Sequence, residues 1–186
     1  MQNVIVPLDF FFFLLNAAHY ACNMFKGQKE ITIILYHFYQ EDEDKVVAEN
    51  YLSSLKTELA AISPNIDLLV ETGDDFINSL TNYAHIKGAF LIVMGLTGKT
   101  GLSLYFSGTN TLKMAEQNVC PVLIVPNDAK FTKINNALIT SEMKAAEENP
   151  TLIAVKKILT AFKPSLHILN VDERHYISLT NEFKEE

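Results

Sequence analysis

The sequence predicts an α/β protein: an open, doubly wound, five-stranded parallel sheet followed by a partial β-α-β unit. Short apolar runs alternate with segments of helical periodicity from Val4 to Pro126, the pattern of strands joined by covering helices. One run, Ala89 to Met94, is apolar at every position, as a strand covered on both faces must be. Four of the seven glycines, Gly95, Gly98, Gly101 and Gly108, fall between the end of that run and the next helical segment.

Taken in order, Val4-Ile5-Val6 reads as a buried strand ended by Pro7. Leu14, Ala18, Ala21, Cys22 and Phe25 follow at spacings of three and four, and Gly27 stops that helix. Ile31 to Phe38 is dense in β-branched and aromatic residues and reads as the second strand. The acidic stretch Glu41 to Asp44 suits a solvated helix start, and Val47, Tyr51, Leu55, Leu59 and Ile62 mark the buried face of that helix. Ile66 to Val70 is a third strand, and Asp74-Asp75 opens a helix with Phe76, Ile77, Leu80 and Ala84 inward. After the fourth strand and the glycine loop, Leu112, Ala115 and Val119 mark one side of a helix, and Pro121 to Val125 is the fifth strand.

The remainder reads as a restart. Asn136 to Thr140 is a strand, Leu152, Val155, Ile158, Leu159 and Phe162 form a helical stripe, and Leu166 to Val171 is a further strand. A slide of 133 positions sets Ile5 on Leu138, Asp9 on Glu142, Asn16 on Asn149 and Tyr36-His37-Phe38 on Leu169-Asn170-Val171. We therefore expect a complete domain over 1–128 and an incomplete second copy over 129–186, docked on the first or on a partner chain.

Composition removes several function classes. With 48% hydrophobic residues among 186, the chain is too aliphatic for disorder and long enough to bury a core. Fifteen Lys+Arg against 22 Asp+Glu give a formal charge of -7, which argues against nucleic acid or an anionic membrane as partner. Two lone cysteines, Cys22 and Cys120, make no disulfide framework and fit a reducing compartment. The polar-free run Phe10 to Leu15 is bounded by Asp9 and Asn16, far short of the about 20 residues a membrane span needs. Met1-Gln2-Asn3 supplies no basic signal-peptide region. A soluble, cytoplasmic protein is expected.

The glycine cluster carries the chemistry. In an open parallel sheet, ligands bind beyond the carboxyl ends of the strands, where the strand order reverses. Glycine there lets main-chain N–H groups approach a phosphate, and a helix starting at Gly108-Thr109 offers unpaired donors and a hydroxyl. These are either turn glycines with Thr109 as a helix N-cap or a phosphate cradle. Gly98-Lys99-Thr100 ends like a Walker A motif, but Val93 stands where its first glycine belongs, and no G-x-G occurs for a dinucleotide fingerprint.

Gly95, Gly98, Gly108 and Thr109 stand at the spacing G-x2-G-x9-G-[ST], which resembles the glycine loop of nucleotide-binding universal stress proteins. Val93-Met94-Gly95 before the loop, Gly101-Leu102-Ser103 within it and Cys120-Pro121-Val122-Leu123-Ile124-Val125-Pro126 after it resemble the same family. So does the opening Ile5-Val6-Pro7-Leu8-Asp9-Phe10. The resemblance covers residues 3 to 126, and 136 to about 172 as a partial copy. It implies an adenine nucleotide α-hydrolase-like sheet of strand order 3-2-1-4-5 that binds ATP or a related adenine nucleotide, with Mg²⁺ as an accompanying cation.

By position, the resemblance places Pro7 and Asp9 at the adenosine end and the backbone of Phe38 against the adenine. Met94 and Gly95 fall on the ribose side, with Gly98, Gly108 and Thr109 around the phosphates. A carboxylate such as Asp9 accepts hydrogen bonds from an exocyclic amine or a ribose hydroxyl; it also suits a helix N-cap. The partial copy has Glu142 for Asp9 and contains no glycine, so no nucleotide site is expected from it alone.

His19, His37, His85, His167 and His175 show no metal-ligand spacing with the cysteines, and His37, within a strand, reads as a satisfied core residue. Cys120 has no adjacent base and reads poorly as a nucleophile. No catalytic residue is assigned, and any ATP hydrolysis is expected to be slow. The leading expectation is a regulatory, nucleotide-binding switch in stress response. The competing one is a dimeric interaction scaffold of the same fold, motivated by Phe10 to Phe13 and by a Phe38 that fills the adenine slot. The resemblance also implies a homodimer through the edge strand Val122 to Val125, an apolar edge that otherwise invites pairing.

Overall fold

The computed structural model describes residues 2–8, 15–40, 45–63, 65–95, 110–141, 150–171 and 177–180. Two compact units are present, Met1–Thr132 and Lys133–Glu186.

In the first unit the elements run β1 (Gln2–Leu8), α1 (Leu15–Met24), β2 (Ile31–Tyr39), α2 (Lys45–Leu59) and β3 (Ile66–Thr72). They continue with α3 (Phe76–Ile86), β4 (Ala89–Gly95), α4 (Asn110–Glu116) and β5 (Val122–Val125). The five strands form one sheet in the order β3-β2-β1-β4-β5, every neighbour pair parallel. Strand order and element types match the sequence expectation.

Side chains alternate across this sheet. One face carries Ile5, Ile34, Tyr36, Ile92 and Met94, closed by Leu80 and Ala84 of α3 and Met114 of α4. The intervening Val4, Val6, Ile33, Leu35, Leu91 and Val93 are also buried. By alternation they face the opposite side, where α1 and α2 lie against the sheet. The small buried residues Ala17, Ala18, Ala21 and Cys22 let α1 approach the sheet closely.

Two helix faces differ from expectation. α2 buries Ala48, Leu52, Leu55 and Leu59, while Val47 is 61% exposed. The stripe through Ala48 and Leu52 runs beside the one through Val47 and Tyr51, and the small Ala48 permits the closer contact. α4 buries Thr111 and Met114, with Leu112 and Ala115 half-buried. It ends at Glu116, so Val119 packs on the core from beyond the helix. Thr81 Oγ1 lies 3.8 Å from the Met114 sulfur, which ties α4 to α3.

α3 is well terminated. Asp75 is its N-cap, with one carboxylate oxygen accepting from the Asn78 N–H at 3.0 Å and the other from the Asn78 side-chain amide at 2.9 Å. Lys87 closes the C-terminus, and Gly88 follows at φ +56°, a left-handed position suited to glycine. Beyond β5 the chain returns over α1: Asn16 Nδ2 donates to the carbonyls of Pro126 and Ala129, and Tyr20 meets Phe131 edge-on.

The second unit runs β6 (Asn136–Ser141), α5 (Pro150–Phe162), β7 (Ser165–Val171) and β8 (Ile177–Thr180). β6 and β7 are parallel, and β8 joins β7 antiparallel. The sequence reading leaves β8 out. Gln2 pairs with Ile31 in the first unit and Asn136 with Ser165 in the second, the same separation along the chain.

Asp75→Ala removes both acceptors at the α3 start. It is expected to lower stability by about 1 kcal/mol, read as a shift of the urea midpoint at unchanged slope.

Candidate functional site

The chain leaves β1 leftward for β2 and β3, then crosses to β4 and β5 on the other side, so the strand order reverses between β1 and β4. That reversal is where such sheets offer a crevice. The β1–β2 ladder runs to Leu8↔His37 and the β4–β5 ladder to Gly95↔Val125. Among the described residues, the β1–β4 ladder ends at Ile5↔Ile92.

Pro7 accounts for the early end. Gln2 N–H donates to Glu30 on the β2 side, and backbone groups of successive strand residues turn to opposite sides. Val4, Val6 and Leu8 therefore turn toward β2, and Asn3, Ile5 and Pro7 toward β4. Pro7 has no N–H to give, so the ladder stops one step before it. Nearer the start, Asn3 faces Ala89 and Val4 faces Leu91, so Phe90 is an extra residue on β4. Such a bulge adds local twist.

The carbonyls at the two strand ends are both satisfied by side chains. His37 Nδ1 lies 2.9 Å from the Leu8 carbonyl oxygen, in buried surroundings. A carbonyl only accepts, so this nitrogen carries the proton. On β4, the Thr111 hydroxyl donates to the Gly95 carbonyl at 3.4 Å.

Of the residues singled out in the sequence, Pro7, Met94 and Gly95 are brought together at adjacent strand ends. The Met94 side chain belongs to the core cluster, so only its backbone faces the strand end. Phe38 lies one strand further, near the end of β2. Its ring packs on Phe76 at 5.8 Å between centroids, and a Cβ on Gly73 would stand 3.4 Å from its Cε2. Gly73 directly follows β3, so the ring leans toward β3 rather than toward the ends of β1 and β4. Asp9, Gly98, Gly108 and Thr109 lie outside the described residues, as do Phe10 to Phe13. His37 is the buried, bonded core residue expected of it. Thr111 was passed over by sequence reasoning; its signal was a polar residue on the inward side of a short helix.

An aromatic cluster adjoins the site on the α3 face. Tyr36 is fully buried, touches Phe76 and Tyr83, and donates from its hydroxyl to Glu71 Oε2 at 2.8 Å. Burial first, and the Glu71 carboxylate second, push its ionisation far above the ordinary tyrosine range. It is therefore a neutral donor that holds β3 to β2. Among the described residues no group of three or more His, Cys, Asp or Glu could hold a metal ion, and no helix is long and apolar enough to cross a membrane.

No family model matches the chain. A universal stress protein solved in complex with cAMP superimposes with a TM-score of 0.55 at 21% identity, over 68% of this chain and 98% of that one. A universal stress protein of Methanocaldococcus jannaschii is 42% identical over 53 residues. The chain shares the fold of universal stress proteins. The match to the Methanocaldococcus protein spans 28% of this chain and 31% of that relative's length. The universal stress protein from Archaeoglobus fulgidus, solved in complex with dAMP, shares the fold with a TM-score of 0.52 at 15% identity, over 67% of this chain and 97% of that one.

The two cysteines are inert by position. Burial pushes the Cys22 thiol up to about 12. Burial also raises Cys120, to about 11, against a smaller lowering by the Ile92 N–H. Both thiols are thus protonated at neutral pH. Between the ordinary value of 9.0 and about 11 to 12, the unfolded chain releases protons that the folded chain keeps. Stability is therefore expected to fall as pH rises through that window. Urea titrations at stepped alkaline pH check the sign. At pH 7, a thiol-specific chromogenic reagent should react slowly until denaturant is added.

Proposed function

We propose that this chain binds an adenine nucleotide, ATP with Mg²⁺, at the carboxyl ends of β1 and β4 and acts as a regulatory switch in stress response. The observation that carries the reading is the reversal of strand order between β1 and β4, with Pro7, Met94 and Gly95 at the two adjacent strand ends. The solved relatives with cAMP and dAMP support it, because adenosine is what those ligands have in common. The satisfied Leu8 and Gly95 carbonyls suit an anionic ligand, since neither is left as a lone acceptor beside a phosphate.

In this reading the Asp9 carboxylate accepts from the adenosine moiety, beside Pro7 and the backbone of Phe38. Met94 and Gly95 meet the ribose, and the amides of Gly98, Gly108 and Thr109 hold the phosphates. Bound Mg²⁺ would offset the charge of the triphosphate. The lean of Phe38 toward Gly73 favours an open slot over the plugged scaffold. No residue is assigned to catalysis, and hydrolysis is at most slow.

The second unit is, in our reading, an incomplete copy of the first. Its parallel β6–β7 pair repeats the chain separation of β1–β2, with β8 antiparallel where the first unit has β3. β5 is the outer strand of its sheet, with Val122 to Ile124 half-buried. We assign it to a homodimer contact, for which sedimentation should give twice the 20.9 kDa chain mass.

Isothermal titration with ATP and Mg²⁺ tests the nucleotide reading. Heat of binding is expected from the wild-type chain and none from Gly108→Trp, whose indole would fill the cradle. Absence of heat from the wild type at millimolar nucleotide overturns the proposal.

A further inference from the structure

The second unit has an unguarded sheet edge. Its strands lie in the order β6-β7-β8, so β6 is outermost, whereas β1, which opens the first unit as β6 opens the second, is flanked by β2 and β4. Among the described residues, no strand pairs with the outer side of β6. The Ser165 N–H donates to the Asn135 carbonyl at 2.8 Å, and successive strand residues turn their backbone groups to opposite sides. Asn135, Ala137 and Ile139 therefore turn toward β7, and Asn136, Leu138 and Thr140 present their N–H and C=O groups outward.

Native sheets guard such an edge with charge, proline or a bulge. β3, an edge of the first sheet, carries Asp67 and Glu71. β6 has no charged residue and no proline, and its register with β7 runs unbroken. Leu138 at its middle is 61% exposed, and Leu166 on neighbouring β7 is 44% exposed. An open, neutral edge of this kind is a template for another strand.

The edge is complementary to itself. A two-fold axis sets a strand antiparallel to its own mate. Centred on Leu138, the pairing places Asn136 opposite Thr140, Ala137 opposite Ile139, and Leu138 opposite Leu138 of the second copy. Polar then meets polar, small apolar meets large, and no like charges face each other. The same register matches donors to acceptors, because the three outward-turned residues of one copy meet those of the other. Each such pair exchanges both of its N–H···O bonds. Ala137 is paired with Leu166, so Ile139 of the second copy stands beside a small residue and comes within reach of Leu166.

We propose that β6 is a self-association edge, which pairs antiparallel with β6 of a second copy in a register centred on Leu138. It is separate from the β5 contact above. A strand of 6 residues is short beside a standard interface, so the association is expected to depend on concentration.

The experiment oxidises full-length chains carrying one added cysteine and reads dimers on a non-reducing gel. The wild-type chain, which keeps Cys22 and Cys120, sets the background. Leu138→Cys is expected to cross-link to itself, since directly opposed residues stand about 5.5 Å apart at Cα, within disulfide reach. Thr140→Cys is expected not to, because its mate lies about 14 Å away along the strand. Mixed with Asn136→Cys, it should cross-link. Sedimentation over a concentration series supplies a measurement without oxidant. Leu138→Lys sets like charges on the axis and is expected to lower the mass reached at high concentration. Its thermal melt should match the wild type, because the side chain it replaces is exposed.

Absence of the Leu138→Cys dimer overturns the proposal. So does equal cross-linking of Thr140→Cys with itself, which marks random collision or another register. A mass series that Leu138→Lys leaves unchanged overturns it too. A chain whose β5 contact fails still cross-links through Leu138→Cys, so the two contacts fail separately.

Discussion

A proline in a central strand forfeits one ladder bond, and in this sheet the loss falls where the strand order reverses. Pro7 turns its missing donor toward β4, and the β1–β4 ladder ends at Ile5↔Ile92 just before it. On their outer sides both strands stay paired to their ends, to Leu8↔His37 and Gly95↔Val125. The ladder is thus interrupted along a single seam, while the outer side of each strand stays paired. The interruption leaves the strands' apolar residues in the core.

The two strand ends are finished by different chemistry toward the same result. A ring nitrogen of His37 takes the Leu8 carbonyl, and the hydroxyl of Thr111 takes that of Gly95. Strand termini normally leave main-chain acceptors for water to satisfy. Here protein donors occupy them, so the approach of an anion meets less lone-pair density. Stiffness comes from the next layer out. Tyr36, Phe38, Phe76 and Tyr83 brace the β2–β3 side, and the Tyr36–Glu71 bond staples those strands together.

Much of the first unit was legible because its strands are short and unmixed. Ala89 to Met94 has no polar residue, so only a two-faced buried strand suits it, and Asp75 announces the start of α3 by its position before an apolar run. Helix faces were less legible. Val47 and Ala48 both lie on 3.6-residue stripes, and only the distance to the sheet favours the smaller side chain. β8 escaped notice because a four-residue strand, Ile177–Thr180, carries too few turns of period to register before it finds an edge.

Within the site, residue types along the chain already separated backbone roles from side-chain roles: glycines and a proline mark where main chain must bend or withhold a donor, because those restrictions are covalent. Such local chemistry determined the α/β class and the positions of the strands and their ends. Only the tertiary structure decided which side Pro7 turns to, that Phe38 leans on Gly73, and that His37 and Thr111 serve two strand ends. Those outcomes depend on register and on neighbours tens of residues away, and no local preference of a side chain encodes its distance to another strand's carbonyl.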